Sequence, residues 1–415
     1  MTERLRNWAG NLTYAAQAVH APRSVEELQD IVRRARKAHA VGSRHSFNTI
    51  ADTDGDLISL RHLNRVLDID SAARTVTVQG GATYRDLAPT LDAAGFALAN
   101  LASLPHVTIV GACATATHGS GNTNPGLAAA IAGLKIVTAN GETVTLSRGD
   151  AEFDGAPVGL GALGIVSEVT LDVVPRYDAR QQVWLELPFS VLVDHFETVS
   201  ASAYSVSLFT SWRGDVVDQA WLKTLGHEPA LPREFFGARP TDRPVPLTPK
   251  PGAPLPVEQL GILEPWYQRI PHLRIEVDFS SGAELQTEYF IARSDARAAL
   301  LALHEIQDQF APVLQISEIR TVAADSLWMS GCYERDTVAL HFAWRPDWPA
   351  VSKVLPVIEA ALAPFAPRPH WGKMFTMPAH EVRAAYPRFD DFRALAQRLD
   401  PAGKFRNAFL EEYVF

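Results

Sequence analysis

The chain has 415 residues, 47% of them hydrophobic and 20% charged, with a formal net charge of −9. That length allows two or three domains around a large buried core, and the composition is that of an ordinary globular protein rather than a disordered or membrane-embedded one. The negative balance disfavours phosphate backbones, and the one dense basic run, Arg33 to Lys37, reads as the solvated face of a helix, so no nucleic-acid partner is expected.

The opening stretch MTERLRNWAGNLTY lacks the apolar core of a secretory signal, and no run of about eighteen apolar residues occurs. No membrane contact is therefore expected, and the chain is expected to be cytoplasmic and a monomer. Cys113 and Cys332 lie far apart without a CxxC partner, so neither a metal site nor a disulfide is indicated, and both read as small buried apolar residues.

Ser24 and Glu27 form a capping box, and the apolar spacing that follows predicts a helix from Val25 to about Ala38. Strand-like runs come next at Leu57 (LISL), Arg65 (RVLDID) and Arg74 (RTVTV), then a helix from Tyr84 to about Ala94 closed by Gly95. The run LKIVTANGETVTL from Leu134 predicts a hairpin turning at Asn140 and Gly141. Beyond Pro175, alternation in VWLEL, SVSLFTSW, RIEVDF, TEYFIA, LQISEIRTV and TVALHFAW predicts an antiparallel sheet, with a helix from Asp295 to Phe310. Pro232, Pro240, Pro244, Pro246, Pro249, Pro251, Pro254 and Pro256 make the stretch from Leu231 to Pro256 a long ordered loop inside this second region. The fold class is α+β.

Gly159, Gly161 and Gly164 match a dinucleotide fingerprint, but the IVSEVTLDVV that follows alternates as a strand. A Rossmann phosphate turn must open a helix, so GLGALG reads as a tight turn into a strand and counts against a nicotinamide dehydrogenase. The small-residue run GACATATHGSG, Gly111 to Gly121, either lets backbone N–H groups approach a diphosphate or is a packed turn. GSRHS, Gly42 to Ser46, has the same character with His45 at its centre. Two such loops in one region favour a dinucleotide held between them. In LQISEIRTV, period-two alternation sets Ile316, Glu318, Arg320 and Val322 on one face, and in TVALHFAW it sets Thr337, Ala339, His341 and Ala343 on a narrow face able to border a cavity. HWGK places Lys373 after a Trp-Gly pair. Zincin, Walker A and G-x-S-x-G motifs are absent from the sequence.

In order, GNLTY, GSRHSFN, ASLPHVTIVGACATATHGSG, GALGIV, AYSVSLFTSWR, SSGAELQTEY, EIRTVAAD, RPHWGK and DPAGKFRNAF closely resemble the alditol oxidases, also called xylitol oxidases, of the vanillyl-alcohol-oxidase flavoprotein superfamily. The resemblance runs from about Asn7 to the C-terminus. It implies a split FAD-binding domain, residues 1–175 with a C-terminal return at 376–415, and an antiparallel-sheet substrate domain at 176–375 capping the flavin. It implies that His45 is joined covalently to FAD. The cofactor would be lined by Ala40, Val41, Gly42, Ser43, Arg44, His45 and Ser46, by Ser103, Thr108, Gly111, Thr115, Ala116, Thr117 and His118, and by Val166. Ser103, Glu318, Arg320, His341, Ala343 and Lys373 would face the substrate. Among these Lys373, Arg320 and Glu318 are the catalytic candidates, with Lys373 the proton acceptor.

The implied reaction takes a hydride from the primary carbinol carbon of an alditol such as xylitol, sorbitol or glycerol to the flavin, with dioxygen as acceptor. Where close family members carry threonine this chain has Ala343, which removes one hydroxyl from the pocket. The nearest alternative within the superfamily is an aldonolactone oxidase, which shares the His-flavin loop; a binding protein without activity is a third reading.

Overall fold

The computed structural model describes residues 4–229, 234–247, 256–277 and 282–415. Near the N-terminus, strands β1 (Ala18–His20), β2 (Ala38–Val41) and β3 (Asp56–Ser59) form a small parallel sheet with β3 at its centre. Between β1 and β2 lies helix α1 (Val25–Arg34), capped by the Ser24 hydroxyl, which accepts the Glu27 N–H at 3.2 Å. It buries Leu28, Ile31 and Val32. The helix stops at Arg34, short of Ala38, because Ala35 turns extended and Ala38 enters β2. Local helix propensity in ARKA yields to pairing with β3 and to the Ala38 N–H bond to Lys404 O at 3.0 Å.

A second sheet, antiparallel, runs β4 (Val66–Asp70), β5 (Thr75–Gln79), β8, β6, β7, where β6 is Ile131–Val137, β7 Thr143–Ser147 and β8 Ile165–Asp172. The hairpin β6–β7 turns at Gly141, whose φ of +79° is the left-handed geometry the sequence asked for. GLGALG leads straight into β8, as its alternation required. Gly164 has φ +134°, and a Cβ there would sit 2.6 Å from Val137 O, so a dinucleotide turn opening a helix is ruled out. Between β5 and β6, α2 (Tyr84–Ala93) ends before Gly95 (φ +84°), and the short α3 (Ile109–Ala114) occupies the start of the small-residue run.

Among the described residues, the remaining chain builds a nine-stranded sheet. Its principal strands are β9 (Asp178–Pro188), β10 (Ser205–Thr210), β11 (Val216–Leu225), β12 (Leu285–Ala292), β13 (Leu314–Val322) and β14 (Thr337–Trp344), in the spatial order β9, β11, β10, β13, β14, β12, all antiparallel. One face of β14 presents Val338, Leu340, Phe342 and Trp344 to a core shared with helices α4 (Ala296–Glu305) and α5 (Trp348–Leu362). The other face is the site described below.

Two expectations fail here. The helix expected from Asp295 to Phe310 breaks at Ile306 (φ −107°), leaving a separate turn at Gln307–Phe310. RIEVDF is not a strand over its described part: Arg274 to Val277 form a turn, while the backbone just before it is bound to Ser103 O through His272 N and Leu273 N. Asp278 and Phe279 lie outside the described residues, as do Ser280 and Ser281. Of the proline-rich stretch, Leu231, Pro232, Pro249, Pro251 and Pro254 lie outside them too. Its described part is ordered by the β9 edge, where Arg239–Pro240 pairs, and by Gln259, whose side-chain amide clasps both backbone groups of Val245.

The C-terminal segment packs back on the small sheet. Phe405 joins the α1 core, its carbonyl lies 3.1 Å from His39 Nδ1, and Lys404 Nζ donates to Val32 O at 2.7 Å. Asn407 donates to the carbonyls of Ile50 (2.9 Å) and Asp52 (2.8 Å) and caps the last helix by accepting from Leu410 N at 2.9 Å. Removing it orphans buried carbonyls and a cap together. Asn407→Ala should cost about 2–4 kcal/mol and lower the melting temperature measured by calorimetry.

Candidate active site

A cleft of about 810 Å³ opens between the small-residue loops and the free face of the nine-stranded sheet. Antiparallel register explains why its polar residues meet. Glu318 on β13 pairs with His341 on β14, which pairs with Glu288 on β12, so three side chains stand in one row across three strands. Arg320, two residues along β13, shares that face.

Glu288 is the hub. Its Oε1 accepts from Arg320 Nη2 at 3.0 Å and lies 3.2 Å from His118 Nε2, while Oε2 accepts from Lys373 Nζ at 2.7 Å. The carboxyl is 1% exposed. Burial alone would raise its pKa, but Lys373, His118 and Arg320 together hold it well below the usual carboxylate range. Glu318 is likewise held low against burial, by Arg320 and by His272, whose Nε2 stands 2.6 Å from its Oε1. Arg320 also reaches Ser103 Oγ at 3.3 Å. Burial lowers the Lys373 pKa, with Glu288 opposing. Both ring nitrogens of His341 are buried without a partner among the described residues, and burial, then the Lys373 charge, depresses its pKa to about 3, so it is neutral.

On the opposite wall Gly42 and Gly111 crowd Thr108: a Cβ at Gly42 would lie 2.1 Å from its Oγ1, and one at Gly111 2.6 Å. That hydroxyl is buried with no partner among the described residues. Such a cradle, stripped of side chains and holding an unanswered hydroxyl, suits a diphosphate. Arg44 (φ 60°) and Ala116 (φ 58°), one in each loop, hold left-handed backbone that costs non-glycine residues of order 1–3 kcal/mol. His45 lies in the cleft wall with its ring centroid 4.2 Å from that of Trp8; burial, then Lys373, lowers its pKa to about 3, leaving a neutral imidazole.

The structure brings nearly all of the expected site residues to this one cleft: Ala40, Val41, Gly42, Ser43, Arg44, His45, Ser46, Ser103, Thr108, Gly111, Thr115, Thr117, His118, Val166, Glu318, Arg320, His341, Ala343 and Lys373. Ala116 is the exception. Its methyl packs in the core, and its left-handed backbone serves to turn Thr115 and Thr117 towards the cleft. Ala343 stands between Ile316 and Gln286 in the sheet and packs on its apolar side with Phe209 and Ile316. Sequence reasoning missed Glu288, Lys223, His272 and Trp8. A glutamate directly before the apolar run Tyr289–Ala292 of β12 was the available signal for Glu288.

Comparison with known proteins accords with this geometry. A family model described as an FAD binding domain matches residues 16–147, and one described as D-arabinono-1,4-lactone oxidase matches residues 282–413. An alditol oxidase from a Streptomyces species is 49% identical over 99% of this chain and 99% of its own length. The chain belongs to the alditol oxidase family. The family sits in the vanillyl-alcohol-oxidase flavoprotein superfamily, with its split FAD-binding domain and antiparallel substrate sheet. More distant are an L-gulono-1,4-lactone dehydrogenase from Mycobacterium tuberculosis, 32% identical over 97% of this chain and 96% of that protein, and bovine L-gulonolactone oxidase, 28% identical over 99% and 98%. Among solved structures, Brevibacterium sterolicum cholesterol oxidase superposes with a TM-score of 0.80 at 15% identity, covering 99% of this chain and 96% of that one, which shows a shared fold.

The Thr108 cradle gives a direct check on this alditol oxidase family member. Gly42→Ala drives a methyl into Thr108 and the diphosphate path, so the purified variant should carry far less FAD than the parent, read as absorbance near 450 nm per protein.

Proposed function

We propose that the protein is an FAD-dependent alditol oxidase, converting the primary carbinol of a polyol to an aldehyde and dioxygen to hydrogen peroxide. The observation that carries this is the row of Glu318, His341 and Glu288 with Arg320 and Lys373, set across one cleft from the Thr108 cradle. When bound, FAD supplies the hydride acceptor and passes the electrons on to dioxygen. The two small-residue loops hold its diphosphate, and His45, neutral and therefore nucleophilic, is the site of covalent attachment. The division into 1–175, 176–375 and 376–415 belongs to the same reading.

The alcohol's proton must leave as its hydride does, so the site needs cations that stabilise alkoxide character. Lys373, its proton affinity lowered by burial, takes that proton, and Glu288 fixes its position. Arg320 balances the developing negative charge, held in place by Glu288 and Ser103. Glu318, ionised, accepts hydrogen bonds from substrate hydroxyls, and the unpartnered His341 offers another acceptor. Ala343 and Ile316 leave one wall apolar, which weakens the hold on a hydroxyl there. Two free, buried thiols fit work in a reducing cytoplasm. Among the described residues, no helix is long and apolar enough to cross a membrane.

An aldonolactone substrate is the second reading, favoured by the family model over residues 282–413. Oxygen uptake on a panel of alditols and aldonolactones separates the two, with xylitol or sorbitol expected to be turned over best. Covalent attachment predicts that acid-precipitated protein stays yellow and that His45→Ala releases all flavin to the supernatant. Replacing Lys373 by Ala should slow anaerobic flavin reduction by xylitol roughly a hundredfold or more in stopped-flow; an unchanged rate removes Lys373 from the chemistry.

A further inference from the structure

Behind Glu318, away from the flavin loops, lie two buried polar residues that the reaction above does not use. Lys223 on β11 is 1% exposed and sits in the sheet between Gln181 and Ser205. Its Nζ donates to the carbonyls of Ile270 and Pro271 and stands 3.2 Å from His272 Nδ1. His272, 5% exposed, reaches Glu318 Oε1 with its other nitrogen at 2.6 Å. Phe209 and Trp221 meet the imidazole edge-on, with centroids at 5.6 and 5.2 Å, so the ring is clamped in plane. His272 N also donates to Ser103 O at 3.1 Å, so one segment ties together two of the residues assigned to the substrate.

An ammonium has three N–H bonds and no acceptor. Two go to carbonyls, and the third can only be received by an unprotonated Nδ1. The proton of neutral imidazole then lies on Nε2, where it donates to Glu318. We propose that Lys223 and His272 are positioning residues for Glu318, the Lys223 ammonium anchoring Nδ1 of the imidazole whose Nε2–H holds this carboxylate in place to receive substrate hydroxyls.

The arrangement can also be switched. A neutral Lys223 amine keeps two N–H bonds for the carbonyls and turns a lone pair on Nδ1. The ionised Glu318 still keeps the imidazole proton on Nε2, so two lone pairs then face each other between Lys223 and Nδ1, and the ring is held from the Glu318 side only. Burial pulls the Lys223 pKa down to about 7, with Glu318 opposing and Arg320 and Arg269 reinforcing the drop. His272, depressed to about 4 mainly by burial, stays neutral throughout this range, with Glu318, Lys223 and Arg320 the charges facing it. The clamp is thus present below about pH 7 and lost as pH rises through it.

The inference rests on the oxidase reading, but its first test does not. In ¹⁵N-histidine NMR of the flavin-loaded protein, the His272 signal, assigned by its loss in His272→Gln, should show protonated Nε2 and a hydrogen-bonded, bare Nδ1 at pH 6, and the Nδ1 shift should move to that of a nitrogen without a donor in Lys223→Met and in the wild type above pH 7. A wild-type Nδ1–H tautomer, or an Nδ1 shift unchanged in Lys223→Met, overturns the proposal. Kinetics add a second test. Gln can place its amide N–H where Nε2–H lies and Asn cannot, so His272→Asn should lower kcat/KM for xylitol roughly ten- to a hundredfold, mainly through KM, while His272→Gln stays within about threefold. The wild-type KM should rise as pH passes 7, and this limb should vanish in Lys223→Met. Equal loss in the Asn and Gln variants, with normal flavin content and melting temperature, overturns the proposal. A wild-type flavin that no alditol bleaches instead defeats the oxidase reading and leaves the tautomer result standing.

Discussion

The site depends on one constraint: two carboxylates and three basic groups share a dry sheet face, and none can be buried alone. An uncompensated charge there would cost several kcal/mol, so Glu288 and Glu318 are tolerated only because Arg320, Lys373 and Lys223 arrive with them. Each partner comes from a different place: Arg320 from β13, Lys223 from β11, and Lys373 from the segment after Pro369. Register in the nine-stranded sheet is therefore enforced twice. The apolar face of β14 fixes it against the helices, and the ion pairs fix it on the other side. A slip of one residue would turn Glu318 and His341 into the helix-packed core and bring apolar residues to the cleft.

With Lys373 the neutral proton acceptor proposed above, the other four groups carry two positive and two negative charges, and the proton passed to Lys373 makes the cluster net positive as the reaction proceeds. The site is thus electrostatically prepared for a species that gains negative charge, which neutral substrate lacks and an alkoxide-like transition state has. Glu288 keeps this from becoming mere anion binding. By occupying Arg320 and Lys373 at 3.0 and 2.7 Å it fixes their positions before substrate arrives, so little reorganisation is left for the reaction itself. The opposite wall uses the reverse tactic. There side chains are removed, at Gly42 and Gly111, and left-handed backbone at Arg44 and Ala116 is tolerated so that the main chain can approach a ligand.

Much of this was readable from the sequence because strands exposed on one face to a cavity keep a period of two. Glu318, Arg320 and His341 announce themselves as polar groups at alternate positions of otherwise apolar strands. Glu288 and Lys223 did not, although the same rule applies to them. In β12 and β11 both faces are nearly dry, so Thr287 and Tyr289 on one side look no different from Gln286 and Glu288 on the other. A lone lysine in WLKTL reads as a solvated one until the sheet places it. His272 was hidden by the run after it: RIEVDF alternates like a strand, whereas long-range bonds to Ser103 commit the preceding backbone elsewhere. The helix from Val25 ended early for the same reason, since a bond to Lys404, far away in sequence, outweighed local propensity. Family resemblance found the cleft; only the register shows what supports its residues from behind.

Ala343 illustrates how the two levels combine. As a departure from the family's threonine it reads as a lost hydroxyl, which implies a weaker grip at an otherwise polar position. Its surroundings change that meaning. Phe209 and Ile316 pack against it, and Leu247 borders the same cluster, so the position belongs to an apolar patch on the sheet face. A threonine hydroxyl introduced there would meet few partners in the protein and would depend on a substrate hydroxyl to satisfy it. The same Phe209 also presses on the His272 ring. The apolar wall and the setting of His272 are thus one packing unit, in which a change of volume at Ala343 reaches the imidazole through Phe209.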